Sequence, residues 1–270
     1  MAAPLEAGGA RRALIALALG FLALFLVLPL AVVLGEALSG GVDGYRAALR
    51  DAETVDAIRL TLITAAIAVP LNTLFGIAAA WAIARFRFPG RPALVALIDL
   101  PVAVSPVIAG MIFALVFGRH GWLGAWLGRH DLQVIFALPG IVLATMFVTV
   151  PFVARELIPV MAEQGSEAEE AALSLGANGW QVFCRVTLPG ITWGLLYGVM
   201  LSGARAIGEF GAVSVVSGHI RGVTTTLPLQ VEILYNEYHF VGAFAAASLL
   251  LLMAVVTLAI KAAIEWRSRA

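Results

Sequence analysis

The 270-residue sequence is short of charge, of cysteine and of lysine. Asp, Glu, Lys and Arg make up 13% of it while 61% is hydrophobic, and an ordinary soluble domain carries roughly 25% charged residues. A soluble core would break its apolar residues into short periodic pieces separated by polar faces, which this chain does not do. The single cysteine, Cys184, excludes an intramolecular disulfide. The four histidines, His120, His130, His219 and His239, lack ligand spacing, so no metal site is expected. The one lysine, Lys261, is followed by Ala262. A phosphate-binding loop needs a Lys followed by Ser or Thr after a Gly-rich turn, because that Lys reaches the β- and γ-phosphates. The chain lacks that nucleotide site, so no nucleotide or other cofactor of its own is expected, and ATP-driven work would draw on another polypeptide.

What the sequence has instead is long uncharged runs, between Arg12 and Glu36, Arg59 and Arg85, Asp131 and Arg155, and His239 and Lys261. Each meets the ~20 residues that a helix needs to cross ~30 Å of hydrocarbon. Two further runs are interrupted. Pro92 to Gly118 carries only Asp99, and the run opening at Ile191 carries Arg205 and Glu209. The expectation is an all-α polytopic membrane protein, a six-helix bundle forming a single domain over 1–270. Arg11 and Arg12 precede a first apolar stretch longer than a signal-peptide core, which reads as a retained helix.

Orientation follows from the basic residues. With the N-terminus inside, Arg11, Arg12, Arg85, Arg87, Arg91, Arg155, Arg185, Lys261, Arg267 and Arg269 lie inside, against Arg46, Arg50, Arg59, Arg119, Arg129 and Arg221 outside. Both termini are then cytoplasmic. So is the loop of about 155–189 between the fourth and fifth spans.

That loop holds a long polar interruption, QGSEAEEAALSLGANGWQVFCRVTLPGI from Gln164 to Ile191. Ser166 and Glu169 have the spacing of a capping box, and Glu167, Glu169 and Glu170 place negative charge on the amide end of the helix they start. Ala171, Ala172, Leu173 and Leu175 follow, and Gly176 stands where a left-handed cap needs a residue without a Cβ. Asn178 and Gly179 read as a turn, and Trp180 to Val186 as a second helical piece before Pro189. Physics leaves two readings open, a connecting helix on the membrane surface or a docking element.

The spacing Glu170-Ala171-Ala172, three residues, Gly176, nine residues, Val186, one residue, Leu188-Pro189 resembles the EAA loop of ABC-importer permeases, with Val186 where the family pattern has Ile. The resemblance implies that this loop carries the coupling helix, with Ser166, Glu169, Glu170, Ala171, Ala172, Leu173, Gly176 and Pro189 as its residues. RFRFPGR (85–91), DLPVAVSPVIAG (99–110), VTVPFVARELIPVM (148–161), ARAIGEFGAVSVVSGHIRG (204–222) and TLPLQVEILYNEY (226–238) are similar to the sulfate/thiosulfate importer permease of the CysW type. The resemblance covers nearly the whole chain. It implies a type I importer-permease fold, a non-catalytic transport role and a bacterial inner-membrane location. It also implies a heterodimer with a related permease, two ATP-binding subunits and a periplasmic sulfate/thiosulfate-binding protein. No nucleic-acid partner is expected.

An ionisable group at membrane depth is costly and faces the bundle interior, a cavity or a partner. Arg205 and Glu209 are four apart and can pair; at ~1.5 Å per residue, Arg205 lies roughly 21 Å from Ile191. The pair either lines a pathway, with Arg205 attracting a dianion and Glu209 preventing a trap, or fixes helix packing. Asp99 reads as a cap or a pairing partner. The connection after Gly211, with Ser214, Ser217, Gly218, Arg221 and Thr224 to Thr226, is either a solvated loop or an outer gate offering donors to an oxyanion. By function class, the alternatives to an ATP-driven importer are a passive channel or secondary transporter, and a non-transporting scaffold. Neither charged relays in several spans nor an inverted repeat is evident, and a scaffold needs no coupling surface. Within the importer class, molybdate or tungstate is the substrate alternative.

Overall fold

The computed structural model describes residues 8–268. Among them every regular element is helical; of the basic residues assigned to the inner side, Arg269 lies outside the described residues. The chain begins with α1 (Gly8–Leu22), which runs through a π-helical turn (Ala23–Val27) into α2 (Leu28–Ala37). There follow α3 (Gly41–Arg50), α4 (Ala52–Arg85), α5 (Arg91–Ala103), α6 (Pro106–Phe117), α7 (Gly124–Arg129) and α8 (Leu138–Gln164). The polar loop supplies α9 (Glu167–Ser174), α10 (Gly179–Val182), a π turn (Phe183–Thr187) and α11 (Leu188–Gly190). The chain closes with α12 (Thr192–Ile207), α13 (Gly211–Ser217), α14 (Leu227–Asn236) and α15 (Phe240–Ser268).

Four helical stretches are long and apolar enough to cross a membrane, Arg11–Ala37, Ala52–Arg85, Leu138–Gln164 and Phe240–Ala263. The other two crossings are broken. α5 and α6 meet at 108°, and Gly179–Gly190 meets α12 at 72°, giving six spans when each bent pair counts as one. The first break has a local cause. Pro106 disfavours helical backbone at the residue before it, and Ser105 is extended at φ −58°, ψ 133°. α4, in contrast, is fixed at both ends: Asp51 accepts a hydrogen bond from Thr54 N at 3.2 Å, and Glu53 and Arg85 occupy its first and last turns, where each suits the macrodipole.

The bundle is organised on α8, which packs along α4 and α12 and touches α5, α6 and α13. Lipid tails are as apolar as Leu, so close packing and hydrogen bonding rather than exclusion from water hold such helices together. α4 therefore presents small residues inward, Ala57, Ala65, Ala68, Gly76, Ala79 and Ala80, all buried. Among them sits Asn72, whose Nδ2 donates to the Met146 carbonyl at 2.9 Å and to Thr149 Oγ1 at 2.8 Å. α13 crosses α6 as closely: a Cβ on Gly110 would stand 2.6 Å from the Ala212 carbonyl oxygen. The stretch Arg11–Ala37 buries none of its most apolar window and is left for lipid.

At Gly76 a Cβ would come within 2.6 Å of Val153 Cγ1, whereas at Gly203 nothing lies within 4 Å. Overpacking of this kind costs about 1–3 kcal/mol. Gly76→Ala is expected to lower the unfolding temperature of the detergent-solubilised protein and Gly203→Ala to leave it unchanged or raised, as measured by differential scanning fluorimetry.

Candidate functional site

The polar loop begins with an eight-residue helix, α9, too short to hold itself in water. Its anchor is Glu169. Arg85, in the last turn of α4, meets that carboxylate with two nitrogens, Nε to Oε2 at 2.8 Å and Nη2 to Oε1 at 3.1 Å. Thr187 Oγ1 donates to the same Oε1 at 2.8 Å, and Arg85 Nη1 donates to the Met161 carbonyl at 2.5 Å. The Arg85 and Glu169 side chains are 9% and 12% exposed. One carboxylate thus joins α4, α8, α9 and the π turn. On the same loop Trp180 stacks on Phe183 at a centroid distance of 5.8 Å, and Trp81 of α4 meets Phe183 in a tilted contact at 5.3 Å.

This corrects the capping box expected at Ser166 and Glu169. Ser166 caps no amide with its side chain, and its Oγ donates instead to Glu170 Oε1 at 2.5 Å. A bidentate, charge-assisted pair is roughly twice as strong as the neutral bonds a box would supply, so Glu169 goes to Arg85. The box that does form is at Asn178 and Gln181, where each side chain accepts from the other's amide at 2.9 Å; an Asn followed three residues on by Gln was its signal. Gly176 has φ +88°. It closes α9 with the paired bonds of a Schellman motif, Gly176 N to Leu173 O at 3.0 Å and Ala177 N to Ala172 O at 3.1 Å. Across the loop's ends, Gln164 Nε2 donates to the Gly190 carbonyl, one residue beyond Pro189, at 2.6 Å. Outward, Ala171 is exposed and Ala172 half-buried, and Leu173, Leu175 and Trp180 are 53%, 89% and 73% exposed.

Two ion pairs join residues of the apolar helical segments. Arg205 Nη1 lies 2.7 Å from Glu209 Oε2, but the two do not share one regular helix, since α12 ends at Ile207. Glu209 is fully buried and its Oε1 accepts from Ala212 N at 2.9 Å, capping the first turn of α13. Its partner Arg205 keeps 35% of its side chain exposed. The second pair is Asp99 Oδ1 with Arg155 Nε at 3.2 Å, so Asp99 is a pairing partner, and Arg155 is a residue that charge counting placed in the inner loop.

The segment after Gly211 is a solvated loop only from Gly218 to Val223, all of which are exposed. Its first half is the helix α13, and Ser217, Thr224, Thr225 and Thr226 are all buried. Ser217 Oγ accepts from His219 N at 3.1 Å, and Thr224 Oγ1 donates to the Ser217 carbonyl at 2.6 Å. Arg221 is tied to Glu53 at 3.1 Å and to Glu237. The hydrogen bond to Glu237 foremost, opposed by burial and aided by Glu53, raises its pKa above the ordinary arginine value. Arg221 therefore bridges the start of α4 and the end of α14. Ser217 and Arg221 do not converge with Arg205 and Glu209 on one set of contacts.

A helical bundle of up to six spans, two of them broken, with ion pairs among its apolar helices and a folded, apolar-faced loop between α8 and α12, has the make-up of a membrane transport subunit. Residues 72–270 match the family model for "Binding-protein-dependent transport system inner membrane component". The chain is 55% identical over 245 residues, 91% of its length and 84% of the relative's, to "Sulfate transport system permease protein CysW" of Escherichia coli (strain K12). It is 39% identical over 244 residues, 88% of each chain, to "Sulfate transport system permease protein CysT" of the same strain. It shares its fold, at a TM-score of 0.76 and 18% identity over 96% of this chain and 94% of the other, with a chain of a bacterial ABC transporter that imports alginate. The chain belongs to the family of binding-protein-dependent transport system inner membrane components, the type I permease subunits of ABC importers, which are transport rather than catalytic subunits.

The clamp makes a prediction of its own. Removing one partner of a buried pair costs about 3–5 kcal/mol because the other is left unpaired, whereas replacing both with apolar residues is often neutral. Arg85→Met and Glu169→Leu are each expected to expose the segment between Gln164 and Gly190 to limited proteolysis, and the double variant to restore much of the protection.

Proposed function

We propose that this chain is the permease subunit of an ATP-driven sulfate/thiosulfate importer. The observation that carries the reading is the 55% identity over 91% of the chain to a sulfate permease. It favours sulfate over the molybdate or tungstate alternative, and membership of a binding-protein-dependent family speaks against a passive channel or scaffold. The chain works beside a companion permease. The two relatives, CysW and CysT, are different permeases of sulfate transport systems, and this chain resembles the first more. Two ATP-hydrolysing subunits supply the energy, and a periplasmic binding protein delivers the anion, as the complex of an alginate importer with its substrate-bound periplasmic protein suggests by analogy of fold. Both termini and the polar loop from Gln164 to Ile191 face the cytoplasm.

In this reading α9 is the coupling helix. Leu173, Leu175 and Trp180 offer the apolar contact to the ATPase, with Glu170, Ala171 and Ala172 on the same short element. The Arg85–Glu169 clamp and the Gln164–Gly190 bond carry its displacement directly into α4, α8 and α12. When the ATPase subunits close on ATP, the two permeases turn from inward-open to outward-open. The substrate undergoes no chemistry, and no cofactor is bound by this chain.

Reconstituted with its companion permease, ATPase and binding protein, the chain is expected to support hydrolysis stimulated by sulfate-loaded binding protein. The reading fails if neither sulfate nor thiosulfate stimulates. Gly176→Val has space for its side chain but forces a β-branched residue to φ +88°, a cost of roughly 1–2 kcal/mol. It is expected to lower the sulfate imported per ATP hydrolysed.

A further inference from the structure

We propose that Arg155, held by Asp99, is a cationic station of the anion route; this rests on the anion-import reading above. Depth is the first argument. Asp99 is eight residues into α5 from Arg91, and Arg155 is nine residues short of Gln164, the inner end of α8. At 1.5 Å per residue these are about 12 and 14 Å from the inner ends of their helices; the 27-residue α8 exceeds a hydrocarbon layer of about 30 Å by about 10 Å, so Arg155 lies inside the layer even with the whole excess on the inner side.

Exposure is the second. The Arg155 and Asp99 side chains are 52% and 43% exposed on the single chain. Charges this open at that depth face lipid only at several kcal/mol, so they face water or another subunit. The packed sides of α8 are accounted for. Val153 meets the positions of Gly76 on α4 and Gly198 on α12, and Ala154 and Ile158 pack with Ile98 of α5. Arg155 and Pro159, one turn apart and both exposed, form the stripe of α8 that this chain leaves uncovered.

Arg205 occupies a separate position. It lies thirteen residues beyond Thr192, about 20 Å along α12, and two turns after Gly198, whose Cβ position is 3.1 Å from Val153 Cα. Arg155 is two residues on from Val153 and so about 160° round α8 from that contact, which leaves it on the side of α8 that α12 does not cover.

The chemistry suits a tetrahedral dianion. Guanidinium presents forked donors that match such oxygens. Asp99 engages Arg155 at Nε, and among the described residues no hydrogen bond holds its two Nη groups. Each arginine is paired with a carboxylate, Arg155 with Asp99 and Arg205 with Glu209, and Glu156 adds a further carboxylate beside Arg155, so a dianion is met by donors without being held by an unbalanced positive charge. A pair of equal and opposite charges that exchanges partners when the anion arrives can pass it on.

The test uses the assembled complex in a Cys184→Ser background. Arg155→Cys is expected to react with a membrane-impermeant, negatively charged thiosulfonate added to the transporter in proteoliposomes, because the position meets water. Arg155→Gln is expected to lower maximal sulfate uptake on the order of tenfold, about the effect of 1.4 kcal/mol, with equal recovery of assembled complex, and Arg155→Lys to stay within a few-fold of the parent. An unreactive Arg155→Cys, undiminished uptake in Arg155→Gln, or loss of the companion permease from the purified complex would each overturn the station, the last by making the pair a subunit contact. If sulfate fails to stimulate the parent complex while Arg155→Cys reacts from water, the substrate reading falls and the aqueous route stands.

Discussion

The carboxylate of Glu169 is where the α9 end of this protein is tied together. Three nitrogen or oxygen donors from Arg85 and Thr187 converge on it, and the same arginine reaches the Met161 carbonyl. Without that junction α9 would be an eight-residue helix on two exposed connections, below the length at which helices persist in water. With it, α9 becomes an extension of α4 and α8, the two helices that make the most intimate contact in the bundle. Burial to 9% and 12% exposure explains why this pair is worth more than a surface ion pair, whose typical contribution is about 0–1 kcal/mol.

The same economy governs the charges among the apolar helices. Glu209 is fully buried, yet both its oxygens are used, one by Arg205 and one by the amide of Ala212. It thereby fixes the bend between α12 and α13 while leaving its arginine partly open. Asp99 and Arg155 are the opposite case, a pair with both members half-exposed. The contrast separates a charge used to shape the fold from a charge presented to a solute, and exposure rather than pairing is what distinguishes them.

Much of this was legible in the sequence. Four spans follow from charge-free runs and two more from runs interrupted only by Asp99 and by Arg205 and Glu209, because a bilayer imposes a length, and Gly176 as a helix stop follows from its position after Ser174 and Leu175. The loop's match to an EAA pattern was legible for the same reason, that a few residues at fixed spacing do one job. What was not legible depended on partners distant in the chain. Ser166 and Glu169 have a capping-box spacing, but spacing cannot reveal that Arg85, 84 residues away, takes the carboxylate. Nor could it show that Thr224 to Thr226 and Ser217 are buried, because hydroxyl- and glycine-rich stretches read as loops until the helices that cover them are placed. Arg155 was counted as an inner-side cation, since a charge that ends an apolar run marks a boundary unless a counter-charge such as Asp99 lies opposite.

The central claim is that the clamp makes the polar loop and the spanning helices one rigid lever. Spin labels at Ser174→Cys and Arg87→Cys, in a Cys184→Ser background within the assembled transporter, measure it by double electron–electron resonance. A rigid lever predicts the same mean distance and the same narrow distribution in the nucleotide-free and ATP-trapped states. A shifted mean or a broadened distribution on trapping would show that α9 moves independently of α4, and would contradict the account.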